Sequence, residues 1–210
     1  PPIENLHRFI DLGAALVCIS GGKGICGPQA SGILCGRRDL IASAAVQMLD
    51  LGGPFETWNP PASLIPKEKL RGLPERGIGR GMKVSKEAII GLLVALENFT
   101  KDKFARKTEH LRQLLEGIRL CLEGIAGLEM TITEDKSVYP SLDIKVDEQI
   151  VGKSAAEVSR KLKNGKPSIF VRDMQLHRGI VCIGSNNLNE ETASIVGERL
   201  HTVITGYGES

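Results

Sequence analysis

Lys23 stands alone as the cation within SGGKGICGPQASGILCG, residues 20–36, among six glycines. A primary amine held close to a partner can form a Schiff base with an aldehyde carbon, and a neighbouring hydroxyl and backbone N–H groups can meet a phosphate. Gly21, Gly22 and Gly24 let the backbone take positive φ and approach a partner closely, at an entropic cost. Ser20, three residues before the lysine, carries the hydroxyl. A nucleotide-phosphate loop is excluded on both possible matches. Lys23 is followed by Gly24 instead of a hydroxyl residue, and Gly152-Lys153-Ser154 has Asp147 where the leading glycine belongs. On spacing alone, a surface lysine in a glycine turn stays open as the plain alternative.

A second set of residues is suited to anions. Arg80 and Lys83 lie in GIGRGMK, beside glycines and ahead of a helical pattern, where two cations can hold an anionic group of a substrate. Arg172 lies on an expected strand in SIFVRDMQ. Arg37 and Arg38 read as surface charges opening a helix, His177 as an edge-strand histidine and Cys26 as a packing residue. The five cysteines form no C-x-x-C pair and are odd in number, so they read as small reduced hydrophobes, with no metal site expected.

These residues need elements to position them. Residues 1–50 alternate helix, apolar strand (LVCIS), glycine loop, strand (GILCG) and helix (RRDLIASAAVQML), the order of a layered α/β domain. Residues 51–79 carry five prolines and the sole tryptophan, Trp58, with no sustained period, and read as a long loop. Ser85 is a helix N-cap, followed by apolar positions 89, 92, 93, 96 and 99 and then 111, 114, 115, 118 and 122. The charged KDKFARKTEH between them is either a solvated stretch of one helix or a break between two. Strands are expected over LEMTITE, YPSLDIKVD, SIFVRDMQ and HRGIVCIG. One helix opens with the capping box Ser154–Glu157, and a last one is capped by Asn189 with apolar positions 193, 196, 200, 203 and 204. The expected division is 1–84 for a large-domain part, 85–125 for a connecting helix and 126–210 for a small α/β domain.

With 27 basic against 25 acidic residues, the chain has no electrostatic footprint for nucleic acid. The apolar run at 88–96 is too short to span a bilayer, and a cytoplasmic protein without membrane attachment is expected. The Pro1-Pro2 start, running straight into a helical pattern, reads as a cut from a longer domain.

GALVCISGGKGICGPQASGILCGRRDLI, then GIGRGMKVSKEAIIGLLVALE, then PSIFVRDMQLHRGIVCI, resemble in order the selenocysteine-synthase-like family of pyridoxal phosphate (PLP) enzymes. That family includes seryl-tRNA selenium transferase and ammonia-lyases acting on amino sugars or amino acids. The resemblance implies a fold-type I architecture (aspartate aminotransferase-like) and PLP held by Lys23, with Ser20 and Gly22 as cofactor contacts. It implies Arg80, Lys83 and Arg172 as substrate contacts and a homodimer or larger homo-oligomer. It places the ring-stacking residue and the aspartate for the pyridine nitrogen in an N-terminal half. Selenium transferases carry two arginines where this chain has Arg80 and Lys83, and a guanidinium fork and an ammonium differ for oxyanions. An α,β-elimination on a β-hydroxy amino acid or 2-amino sugar acid, releasing ammonia, is therefore the first expectation, with a small amino compound as substrate. Selenium transfer, with tRNA as partner, is the second. A non-catalytic scaffold is the third.

Overall fold

The computed structural model describes residues 3–50, 52–73, 76–133 and 139–207. The chain divides into two units, Ile3–Thr100 and Lys101–Ser210. Both combine helices and strands, so the protein is mixed α/β.

The first unit runs α1 (Asn5–Asp11), β1 (Leu16–Ser20), β2 (Gly32–Gly36), α2 (Arg38–Gln47) and α3 (Lys86–Asn98), with 3-10 turns at Lys67–Lys69 and Ile78–Met82 before α3. β1 and β2 are antiparallel, pairing Leu16 with Gly36 and Ser20 with Gly32, so the glycine-rich stretch 21–31 is the connection of a hairpin. Their apolar runs are buried on one side only: Val17, Ile19, Ile33 and Cys35 are half-buried, whereas Leu16, Cys18, Ser20 and Leu34 are exposed. The strands thus follow the period-two alternation of a sheet with one covered face.

Ser85 caps α3 as expected, its side chain accepting from the Ala88 N–H. The expected apolar stripe is covered only in part. Ala88 and Leu92 are buried, but Ile89, Ile90, Leu93 and Val94 are exposed. What covers Leu92 is the hairpin connection, which touches a narrow strip of the helix at Gly91, Leu92 and Ala95.

The long loop is pinned from within. Lys67 Nζ donates to the Trp58 carbonyl at 2.5 Å and the Glu56 carbonyl at 3.1 Å, and lies 5.0 Å from the centre of the Phe55 ring. Cation and ring attract through the ring's quadrupole, so one lysine gathers two turns of a proline-rich segment whose described residues belong to no strand.

The second unit runs α4 (Lys101–Cys121), β3 (Leu128–Ile132), β4 (Ser141–Val146), α5 (Glu148–Val151), α6 (Ala155–Asn164), β5 (Ile180–Gly184) and α7 (Glu190–Thr205). The stretch 85–125, read as a connecting helix, is two helices, α3 and α4, and KDKFARKTEH opens the second. The strands form one antiparallel sheet in the order β3-β4-β5. Leu142, Ile144, Val146, Val181 and Ile183 face a core completed by Leu115 and Ile118 of α4, Val158 and Leu162 of α6, and Val196, Leu200 and Val203 of α7. The capping box at Ser154 and Glu157 has both of its bonds, and Asn189 caps α7.

SIFVRDMQ, expected as a strand, is not one. Its sole ladder contact is a bridge from Arg172 to Cys182, with the Arg172 N–H donating to the Cys182 carbonyl at 3.0 Å. At one end the Ile169 N–H is tied to the Leu162 carbonyl at the end of α6, and at the other the chain bends into a 3-10 turn at Leu176–Arg178. The turn also takes His177 off the strand edge where the sequence pattern had put it.

The burial of the two units differs sharply. Among the described residues, the first unit's buried hydrophobic side chains are Ile25, Ile65, Ala88 and Leu92, and the remaining buried hydrophobics belong to the second.

Candidate functional site

Lys23 lies in the turn that follows β1, on the connection between the two hairpin strands. Its carbonyl accepts from the Cys26 N–H at 2.8 Å, the Gly27 N–H reaches the Gly21 carbonyl at 2.9 Å, and the Gly21 N–H reaches the Ser31 carbonyl at 3.0 Å. The turn is therefore closed by its own backbone. A Cβ on Gly21 would stand 2.2 Å from Ser31 Oγ and 2.9 Å from Leu92 Cδ1, and one on Gly22 would stand 2.6 Å from Gln29 Cα. These glycines are required by close packing of the connection on itself and on α3. Gly22 thus has a structural demand besides the cofactor contact implied by the resemblance. Pro28 seats on Gly91 of α3, where an added Cβ would lie 2.7 Å from Pro28 Cγ.

The Lys23 side chain emerges exposed from this braced turn. Ser20 ends β1 on the exposed face of the hairpin. Cys26, read from sequence as a packing residue, is exposed and adopts a left-handed backbone at φ 62°, a conformation uncommon for a residue with a Cβ.

Arg80 and Lys83 converge on a residue that the sequence pattern did not single out. Lys83 Nζ lies 2.6 Å and Arg80 Nε 3.3 Å from the same oxygen, Asp50 Oδ2. The two cations are half exposed, at 51% and 58%, and the Asp50 side chain is 18% exposed. Lys83's hydrogen bond, and after it the charges of Arg80, Lys83 and Arg76, hold the Asp50 carboxyl below its ordinary range. Glycine chemistry builds this cluster too. A Cβ on Gly77 would stand 2.2 Å from the Gln47 carbonyl oxygen, and one on Gly79 would stand 2.2 Å from Met48 Sδ. The turn Ile78–Met82 is thereby pressed onto the end of α2, where the Gly77 N–H donates to the Leu49 carbonyl. Asp50 and Arg76 were illegible because a long loop separates the end of α2 from the GIGRG turn. Lys83 also forms part of the wall of a mostly apolar groove of about 700 Å³, with Ile33, Leu34, Met48, Val84 and Leu93.

Arg172 belongs to the second unit, on the sheet face away from its core. Its guanidinium lies over Gly184, where a Cβ would meet Arg172 Nε at 2.7 Å and Cζ at 2.9 Å. Asp143, Cys182 and Arg172 form one row across neighbouring backbones. Asp143 Oδ1 is buried and without a hydrogen-bond partner among the described residues. Burial pushes the Cys182 thiol up, with the Asp143 carboxylate adding to the effect and Ser141 and Arg172 opposing it.

No family model matches the chain. It is 29% identical over 207 residues to a 5'-C-glycyluridine monooxygenase-decarboxylase from Streptomyces sp, a match covering 97% of this chain and 45% of the relative. It is 26% identical over 202 residues to D-glucosaminate-6-phosphate ammonia lyase from Salmonella typhimurium, covering 95% of this chain and 46% of that protein. Both relatives are enzymes. The chain spans about half the length of each. A solved structure of D-glucosaminate-6-phosphate ammonia-lyase superposes with a TM-score of 0.66 at 24% identity, over 98% of this chain and 48% of the other. The chain therefore shares that protein's fold over its own length. Among the described residues, no helix is long and apolar enough to cross a membrane.

Proposed function

We propose that this chain is the lysine-bearing part of a PLP-dependent, fold-type I ammonia-lyase acting on a 2-amino sugar acid or a β-hydroxy amino acid. The observation that carries the reading is the exposed Lys23 amine on a hairpin connection braced by glycine packing. Its support from relatives is the 26% identity to an ammonia lyase over 95% of the chain. The residues present fit the aldehyde and phosphate end of the cofactor: neither the Lys23 amine nor the Ser20 hydroxyl is engaged by another described residue.

When bound, PLP supplies an electron sink for charge developing at the substrate's Cα. Lys23 Nζ would hold the cofactor's aldehyde carbon and, once the substrate's amine has displaced it there, would be free to accept the Cα proton, a role that requires an amine able to reach that carbon without the turn rearranging. The closed backbone of residues 21–31 supplies that fixed base. Ser20 Oγ would donate to the phosphate. Arg80 and Lys83 would hold an anionic group of the substrate. Loss of the β-hydroxyl as water, followed by hydrolysis that takes a water back up, would release ammonia and a keto acid. A homo-oligomer with PLP sites completed by neighbouring chains belongs to the same reading, and the apolar groove beside α3 supports it.

Borohydride reduction of the full-length protein incubated with PLP tests the assignment, because the 210 residues alone are expected to be inactive. A pyridoxyl group is expected on Lys23 by peptide mapping, and Lys23→Ala is expected to lose both label and turnover. A label on another lysine refutes it. A second reading, decarboxylation, is favoured by the 29% identity to the monooxygenase-decarboxylase. Product analysis separates these readings and selenium transfer, since ammonia marks the lyase, carbon dioxide the decarboxylase and selenocysteinyl-tRNA a selenium transferase.

A further inference from the structure

The cations assigned above to a substrate anion already hold an anion of the protein's own. Asp50 is gripped through one oxygen, Oδ2, by Lys83 at 2.6 Å and Arg80 at 3.3 Å. Arg76 acts on the same carboxylate through its charge alone, with no hydrogen bond or ion pair to another described residue. Three cations around one carboxylate leave two positive charges unmatched. A phosphate monoester carries roughly −1.5 to −2 near neutral pH, and its several oxygens can take the donors that one aspartate oxygen leaves unused.

We propose that Asp50 is a built-in occupant of a dianion site formed by Arg76, Arg80 and Lys83, and that a phosphate group binds there by displacing the carboxylate. The inference rests on the reading of Arg80 and Lys83 as anion-binding residues. It adds Arg76 to them, names the ligand chemistry as phosphate rather than carboxylate, and gives Asp50 a role.

Three features fit such an exchange. The cations are half exposed, so ligand and solvent reach them. An ion pair of this exposure contributes little and re-forms readily, so the carboxylate can leave. The backbone that carries the cations is fixed independently of the ion pair, by Gly77 and Gly79 pressed on Gln47 and Met48 and by the Gly77 to Leu49 hydrogen bond. Asp50 leaving therefore does not dissolve the site. Until a ligand arrives, the carboxylate keeps three like charges from repelling one another.

Titration of inorganic phosphate into the chain at low ionic strength, by calorimetry and with acetate in parallel, tests the proposal. Wild-type protein is expected to bind phosphate in preference to acetate. Asp50→Asn is expected to bind phosphate tighter by about tenfold or more, since a like charge beside the ligand has been removed. Arg76→Ala is expected to bind it more weakly. Arg76 has no bonded partner among the described residues to lose, so its removal keeps the result readable even where Asp50→Asn loosens the loop. Phosphate affinity unchanged or weakened in Asp50→Asn, or unchanged in Arg76→Ala, or acetate bound as tightly as phosphate, overturns the proposal. Failure here with the pyridoxyl label still on Lys23 removes only the dianion site. The reverse pattern removes only the Lys23 reading.

Discussion

Gly91→Ala sets two known effects against each other at the contact that seats the lysine connection on α3. Alanine in a helix interior is favoured over glycine by about 1 kcal/mol, so on an open face the change stabilises. Here the new Cβ would stand 2.7 Å from Pro28 Cγ and 3.2 Å from Cδ. The first distance is roughly 1 Å inside the optimum for two carbons. A proline ring has no rotamer with which to withdraw, so the connection itself must lift. Overpacking of this kind costs about 1 to 3 kcal/mol, and the net expectation is a loss of about 0 to 2 kcal/mol. In a Pro28→Ala background the obstructing atoms are gone, and Gly91→Ala should then stabilise by about 1 kcal/mol. Urea unfolding followed by emission of Trp58, the one tryptophan, reads the unit concerned. The four proteins form a cycle with an expected coupling of at least about 1 kcal/mol. Gly91→Ala stabilising the protein with Pro28 present, or the two changes simply adding, refutes the claim that Pro28 and Gly91 hold the connection.

Acid should act on the Asp50 cluster. Its folded pKa is depressed, so its contribution is present above the unfolded aspartate value of about 3.9 and is lost as pH falls through the lower folded value. Stability to urea is expected to fall slightly more below about pH 4 in wild type than in Asp50→Asn, and identical profiles count against the pairing. Cysteine labelling by an aromatic disulfide should divide the thiols. Cys18, Cys26 and Cys121 are exposed and should react in the native protein, while Cys182, at 5% exposure and with its thiol pushed up, should react only on unfolding. Native labelling of Cys182 would show that its sheet face is open.

What the sequence made legible was local. The apolar runs LVCIS and GILCG became β1 and β2 within their read boundaries, and Ser85, Ser154 and Asn189 cap helices because a cap needs only a hydroxyl or amide and the next turn. The α7 positions 193, 196, 200, 203 and 204 are all buried, since periodicity serves where a helix has a full partner. It failed on α3, whose apolar positions outnumber what the hairpin connection covers. SIFVRDMQ has strand composition, yet its ends are tied to α6 and to a turn, and strand pairing depends on where a neighbour lies rather than on propensity. The glycine turn that carries Lys23 was legible, although much of its glycine content answers to packing against Ser31, Gln29 and Leu92. Asp50 was not legible, because its partners meet it across a loop whose path is set by Lys67 and two glycine contacts.

The unequal burial of the two units bears on where motion is cheapest. Amide exchange samples openings whose free energy follows the apolar contacts that must be broken. The second unit, with its core of Leu115, Leu142, Val158, Leu200 and their neighbours, would open only near the global limit. Residues 3–100, which bury Ile25, Ile65, Ala88 and Leu92, would open far more often. Lys23, Asp50 and Arg80 all ride on that easily opened part, so the groups read here as chemical stand where the backbone fluctuates at least cost, and contacts made by a ligand or a covering chain have the most order to add there.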